Sequence, residues 1–238
     1  FFRNKKVKKI DIPVVIMAGG KGTRLKPVTN ILPKPLIPLK DKPILDYIVD
    51  DLNQKGFEKF IFILNYFANL IKSYVKQKKN LKKAEFVIEK KPLGTAGGLY
   101  FLKKYKKYKN FIVTNADTIL KFDINDLISY HEKNKNHVTV VASNQITKIK
   151  YGVCHLNRKK RLKKIEEKPT FKYLANTGFY IINSSILNLI SKNKHFDFTE
   201  LIEKVLLNKK KVGVFPILED EWIDVGQWRE FEIASKKI

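Results

Sequence analysis

Strand-sized apolar runs alternate with stretches of helical period through the first half of the chain. IPVVIM (12–17), KFIFIL (59–64), AEFVIE (84–89) and NFIVTNAD (110–117) read as strands. PILDYIVDDLNQKG (43–56), YFANLIKSYVKQ (66–77) and TAGGLYFLKKY (95–105) between them read as helices. The strands are apolar on both faces, so the pattern predicts a parallel sheet covered by helices, with ligands at the carboxyl ends of its strands. Gly56 is placed to stop the first helix, and Asp123 or Asn125 to start the helix INDLISYHEKN.

Beyond residue 136 the rhythm changes. HVTVVAS, YGVCHL, RLKKIEEKP, NTGFYIIN and KVGVFPI are short strands, with helices expected over 184–191 and 199–208 and a last one in QWREFEIASKK. No Ser/Gly/Pro-rich linker separates this part from the first, so residues 10–238 are expected to form one α/β domain with a mixed, mostly parallel sheet. The opening residues 1–9, FFRNKKVKK, read as the remnant of a linker.

Composition changes this picture little. No apolar run approaches the roughly 20 residues of a membrane-spanning helix, and no signal peptide is visible, so a cytoplasmic protein without a membrane partner is expected. The formal charge is +25, but lysines are spread over every segment and arginine occurs only at 3, 24, 158, 161 and 229. That spread reads as a solvated surface, not a polyanion groove, and nucleic acid is not expected as a partner. One cysteine, Cys154, excludes an internal disulfide and a cysteine metal cluster and reads as a small core residue. His131 falls on the polar face of its helix, His137 and His155 at strand ends and His195 in a loop; none is needed for chemistry.

The chemistry begins directly after the first strand, in MAGGKGTRLKPVTNILPKPLIPL (17–39). Its glycines fit neither familiar phosphate motif. The dinucleotide fingerprint needs a glycine where Leu25 stands, and the P-loop needs Lys-Ser/Thr where Thr23-Arg24 stand. What remains is a glycine loop whose amides can approach an anion closely, with Lys21 and Arg24 adding charge and a guanidinium fork. The alternative is a tight strand-to-helix turn bearing exposed basic residues. Prolines on both sides of Lys34 then deliver a second cation on a stiff segment.

This stretch resembles the signature of the sugar-1-phosphate nucleotidyltransferases, written G-G-x-G-[TS]-R-L followed by P-K-P. EKKPLGTAGG (89–98), NAD (115–117), EEKP (166–169) and WIDVGQW (222–228) follow in family order, and the resemblance spans about residues 10–235. It implies a Rossmann-like three-layer α/β/α fold and transfer of a nucleoside monophosphate from a nucleoside triphosphate to a sugar-1-phosphate. On it, Ala18, Gly19, Gly20, Lys21, Gly22, Thr23, Glu89, Gly94 and Thr95 are expected around the nucleotide. Arg24, Lys34 and Lys168 are expected to be catalytic, and Gly152, Glu167, Asn176 and Thr177 to contact the sugar. Asp117 and Asp224 are expected to hold Mg²⁺, since buried unpaired carboxylates are costly and hard oxygens suit that ion. EKKPLGTAGG and WIDVG look more like the mannose-1-phosphate guanylyltransferases than the thymidylyl or uridylyl branches. The lead-in KIDIPVVIMAGGKGTRL is similar to enzymes with an upstream CBS-domain pair that transfer GMP to glucosamine-1-phosphate for legionaminic acid synthesis. GTP, glucosamine-1-phosphate, a homo-oligomer and an upstream CBS pair are therefore further expectations.

Overall fold

The computed structural model describes residues 9–237. The expected linker remnant, apart from Lys9, lies outside the described residues. Thirteen strands occur among them: β1 (Val14–Met17), β2 (Pro38–Leu39), β3 (Lys42–Pro43), β4 (Phe60–Leu64), β5 (Glu85–Ile88), β6 (Asn110–Asn115), β7 (Thr118–Leu120), β8 (Val138–Lys148), β9 (Val153–Leu156), β10 (Leu162–Glu166), β11 (Thr170–Asn183), β12 (Val212–Ile217) and β13 (Trp222–Asp224). The helices are α1 (Ile44–Gln54), α2 (Ala68–Gln77), α3 (Ile124–Lys133), α4 (Phe198–Leu207) and α5 (Trp228–Lys237), with short 3₁₀ turns between several elements.

Seven strands form the central sheet in the order β12-β8-β11-β6-β1-β4-β5. All neighbours run parallel except β11, which is antiparallel to both β6 and β8. Because side chains alternate across a strand, β1 sends Val14 and Ile16 to one face and Val15 to the other. The first face is covered by the apolar stripes of α1, α2 and α3, through Leu45, Ile48, Ile71, Val75 and Leu127. The second is covered by α4 and two 3₁₀ segments, through Leu201, Val205, Leu99, Leu102 and Ile186. This is the expected three-layer α/β/α arrangement.

Register aligns the carboxyl ends of the parallel strands. Met17 lies opposite both Ile63 of β4 and Asn115 of β6, and Leu64 lies opposite Ile88 of β5. The loops leaving β1, β5 and β6 therefore start at one level of one sheet edge.

Four expectations change. The segment over 95–105 is a 3₁₀ helix, Gly97–Lys104, not an α-helix. The segment over 184–191 is likewise a 3₁₀ stretch, Ser184–Leu189. His131 does not face solvent: it is buried and its Nδ1 sits 2.8 Å from the Thr139 hydroxyl. Burial pushes its imidazole down to about 4, so it stays neutral. Cys154 is exposed, not core, because β9 pairs only with β10 in a hairpin that stands apart from the main sheet. Asp123 caps α3 by accepting from the Asn125 amide, and Gly56 follows α1 at φ 100°. Among the described residues no helix is long and apolar enough to cross a membrane.

Candidate active site

A cavity of about 420 Å³ opens at the carboxyl edge of β1, β4, β5 and β6, within the size range of small-ligand sites. Ala18, Gly19, Gly20, Gly22, Thr23 and Arg24 line it from the glycine loop, with Lys34 and Pro35 beside them. Glu89, Leu93, Gly94 and Thr95 line it from the segment after β5, and Asn115, Ala116 and Asp117 from the end of β6.

The loop holds Lys34 in place by local geometry. Gly22 has φ 62°, a left-handed conformation that favours glycine. A Cβ there would stand 2.9 Å from Thr29 Cγ2 and 3.1 Å from Lys34 Cβ, so the bend packs directly on the lysine. Pro33 precedes and Pro35 lies within a 3₁₀ turn, Lys34–Leu36, whose three residues are buried. The stiff segment expected from the prolines is thus a packed turn.

The two expected metal carboxylates come from distant strands. β13 pairs antiparallel with β7, setting Asp224 opposite Thr118, and the Val225 amide donates to the Asp117 carbonyl at 3.0 Å. Asp117 is thereby drawn against the Asp224–Gly226 turn. Lys34 Nζ makes an ion pair with Asp117, the two side chains being 10% and 17% exposed. A Cβ on Gly226 would meet Asp224 Oδ1 at 2.7 Å, Lys34 Nζ at 3.2 Å and Arg24 Nη2 at 3.3 Å. Two cations and a carboxylate from three parts of the chain thus gather around one buried glycine, with Asp117 ion-paired to the same lysine.

Electrostatics reflect this crowding. Burial, then the charge of Asp117, raise the Asp224 carboxyl above its ordinary range; the Gly226 amide, Lys34 and Arg24 pull the other way without cancelling the effect. A second carboxylate that resists ionisation despite two neighbouring cations leaves room for more positive charge. The paired carboxylate oxygens fit a hard dication such as Mg²⁺.

Glu89 is the other perturbed group. It is 6% exposed, and its Oε1 has no hydrogen-bond partner. Burial pushes its carboxyl up to about 7, with the Leu93 amide opposing. Glu89 lines the cavity with Oε2 towards Gly19, while its unpartnered Oε1 packs on Gly98.

Other expected residues are placed differently. Lys21 is exposed and does not line the cavity. Gly152, Glu167, Lys168, Asn176 and Thr177 do not line it either. Glu167 and Lys168 are exposed at the root of the β9–β10 hairpin, 3.8 Å apart, with Glu167 against Gly152. The Thr177 hydroxyl is buried and donates to the Val141 carbonyl at 2.8 Å, at the register shift of β11. Asn176 accepts from the Gly178 amide at 3.1 Å, and Gly178 packs on Asn115 at the cavity wall. The amides of Ala96 and Gly97 both donate to the Phe196 carbonyl at 2.9 Å.

Asn115, Leu93, His195 and Gly226 also line the cavity. Asn115 and Gly226 lie inside quoted motifs, but His195 carries no local signal, because only tertiary packing brings residues 194–198 against the segment after β5.

A family model described as "Nucleotidyl transferase" matches residues 13–238. The D-glycero-alpha-D-manno-heptose 1-phosphate guanylyltransferase of Campylobacter jejuni is 30% identical over 214 residues, 89% of this chain and 93% of that protein. Mannose-1-phosphate guanyltransferase 2 of Candida glabrata is 32% identical over 228 residues, 91% of this chain but 62% of that protein. The crystal structure of HddC from Yersinia pseudotuberculosis complexed with GMP-PN superposes with a TM-score of 0.72 at 28% identity, covering 95% of this chain and 99% of that one.

Proposed function

Because the chain belongs to the nucleotidyl transferase family, and within it to the sugar-1-phosphate nucleotidyltransferases, we propose that it transfers GMP from GTP to a sugar-1-phosphate of manno configuration. The products are a GDP-sugar and pyrophosphate. The observation that carries this reading is the gathering of Arg24, Lys34 and Asp224 around Gly226, with Asp117 on the same lysine, at the carboxyl edge of the sheet.

The chemistry follows from charge. A phosphomonoester carries about −1.5 to −2 near neutrality and needs no general base to become a nucleophile. Its oxygen attacks the α-phosphorus, the bond from that phosphorus to the bridging α–β oxygen breaks, and pyrophosphate leaves with the electron pair. The protein's task is to bring two polyanions together and to stabilise the charge that builds on the leaving group. Arg24 offers a planar fork to the outer phosphates, and the amides of Gly19, Gly20 and Gly22 are close enough to the cavity to add donors. No atom lies within 4 Å of where a Cβ on Gly20 would stand, so a phosphate has room there. Lys34, fixed by its packed turn, meets the α-phosphate. Asp117 and Asp224 would hold Mg²⁺, which supplies neutralising charge to the phosphates when bound. In this reading Glu167 and Lys168 seat the sugar and its phosphate, a role that rests on the likeness of EEKP to the family segment.

Guanine is favoured by Glu89. Its carboxylate is an acceptor, and guanine's N1–H and exocyclic amine are two adjacent donors, a pair that the Watson–Crick edges of adenine, uracil and thymine lack. The manno configuration is favoured by the relatives, which are named for mannose and manno-heptose phosphates. Glucosamine-1-phosphate is the acceptor expected from the lead-in segment.

The test is pyrophosphate release from GTP, ATP, CTP, UTP and dTTP. Each is offered mannose-1-phosphate, D-glycero-α-D-manno-heptose 1-phosphate, glucosamine-1-phosphate or glucose-1-phosphate in the presence of Mg²⁺. Highest kcat/KM with GTP and a manno-configured acceptor is expected. Preference for UTP or dTTP overturns the base assignment, and preference for glucosamine-1-phosphate overturns the sugar assignment.

A further inference from the structure

The segment after β5 that carries Glu89, Gly94 and Thr95 into the cavity is not self-supporting. Six hydrogen bonds tie it to residues 196–198, about a hundred positions later in the chain. The Thr95 amide and hydroxyl both donate to Asp197 Oδ1, at 2.8 and 3.1 Å. The Thr95 hydroxyl oxygen accepts from the Phe198 amide at 2.9 Å. The Phe196 carbonyl accepts from Ala96 and Gly97, and the Phe196 amide donates to the Leu93 carbonyl, each at 2.9 Å. Gly94, at φ 78°, lets the two strips touch: a Cβ there would stand 2.7 Å from Asp197 Oδ1 and 2.8 Å from the Phe196 carbonyl.

Asp197 does two jobs in this junction. It is the N-cap residue of α4, and Glu200 accepts from its amide at 2.7 Å. The same carboxylate takes both donors of Thr95. The position of the segment after β5 is thereby referred to α4, whose Phe198, Leu201 and Val205 are buried in the second core. His195, carried on the same strip, reaches the cavity wall.

We infer that Asp197 is a positioning residue for the nucleotide: through Thr95 it latches the base-side wall of the cavity to α4, so that Glu89 and Gly94 present a preformed surface. This inference rests on the reading of residues 89–95 as the base-side wall. Thr95, expected among the nucleotide contacts, has its side-chain donor and its amide occupied by the latch.

Four proteins separate this role from simple support of a helix. Asp197→Ala removes the latch and the cap together. Asp197→Asn keeps an oxygen that accepts from Thr95 and still caps α4. Glu200→Ala removes the other half of the capping box and leaves Thr95 untouched. With the wild type these are compared for KM of GTP, KM of the sugar phosphate, kcat, and amide exchange of a peptide covering 92–97. Asp197→Ala is expected to raise KM for GTP about tenfold and to speed exchange in that peptide, the sugar-phosphate KM moving less than about twofold. Asp197→Asn is expected to stay close to wild type, and Glu200→Ala to lower stability without changing KM for GTP. Equal KM shifts in Asp197→Ala and Glu200→Ala overturn the positioning role, as does unchanged exchange in Asp197→Ala. Wild-type protein that binds no nucleoside triphosphate instead overturns the base-wall reading, and faster exchange in Asp197→Ala then supports the latch alone.

Discussion

Replacing Lys34 with alanine is expected to lower kcat/KM for pyrophosphate release about a thousandfold, the scale of losing a preorganised charge from a transition state. Lys34 is 9% exposed and its ammonium stands where Asp117 and the Gly226 turn converge. Removing it also leaves two neighbouring carboxylates without their closest cation. Breaking a largely buried ion pair on one side typically costs about 3–5 kcal/mol, so urea midpoints should fall as well. The sign of the pH dependence is set by the carboxylates. Asp224 already resists ionisation because of burial and Asp117, and without Lys34 that resistance grows. The stability deficit of the variant should therefore grow as pH rises and Asp224 is made to ionise. Lys34→Arg retains the charge but not the compact ammonium, and should recover stability more than activity. A Lys34→Ala protein with kcat/KM within threefold of wild type would remove Lys34 from the mechanism.

Glu89→Gln is expected to do two separable things. In the free protein the Glu89 carboxyl is raised from 4.5 to about 7, chiefly by burial. Between those values the folded state holds a proton that the unfolded state has released. Stability from this group is therefore fully present below about pH 4.5 and is lost as pH rises through about 7, by up to roughly 3 kcal/mol. Glutamine does not titrate, so the difference in urea midpoint between variant and wild type should grow in favour of the variant from pH 5 to pH 8. With substrate the order reverses. The amide replaces one acceptor with a donor that opposes guanine's own donors, and kcat/KM for GTP should fall about a hundredfold. In the wild type KM for GTP should rise as pH drops below about 7 and the carboxyl protonates, a rise absent from the variant. A variant that keeps GTP preference would move base recognition elsewhere.

Much of this site is legible in the sequence because its parts are local. The glycine loop follows an apolar strand, two prolines bracket Lys34, and Asp117 ends a strand whose period and length are plain. The pairing that brings Asp224 to Asp117 is not local. Only the β13–β7 ladder fixes it, and both strands are three residues long. The segment over 95–105 reads as an α-helix from its apolar spacing, but its first amides are taken by Phe196 and it winds as 3₁₀ instead. The latch through Asp197 and the arrival of His195 have no signature at all, since they join residues about a hundred positions apart. His131 and Cys154 fail in opposite directions for one reason. Whether a polar or small residue is buried depends on which neighbour covers its face: β8 presents Thr139 to His131, whereas the β9–β10 hairpin has no cover over Cys154.

The central claim is that this edge of the sheet directs a sugar phosphate to the α-phosphorus of a nucleoside triphosphate. GTP carrying a radiolabel on its γ-phosphate, incubated with the protein, Mg²⁺ and mannose-1-phosphate, reports the bond that breaks. The account predicts label in pyrophosphate, at a rate that requires the sugar phosphate. Label appearing as inorganic phosphate or on the sugar phosphate would contradict it, because attack would then fall on the γ-phosphorus.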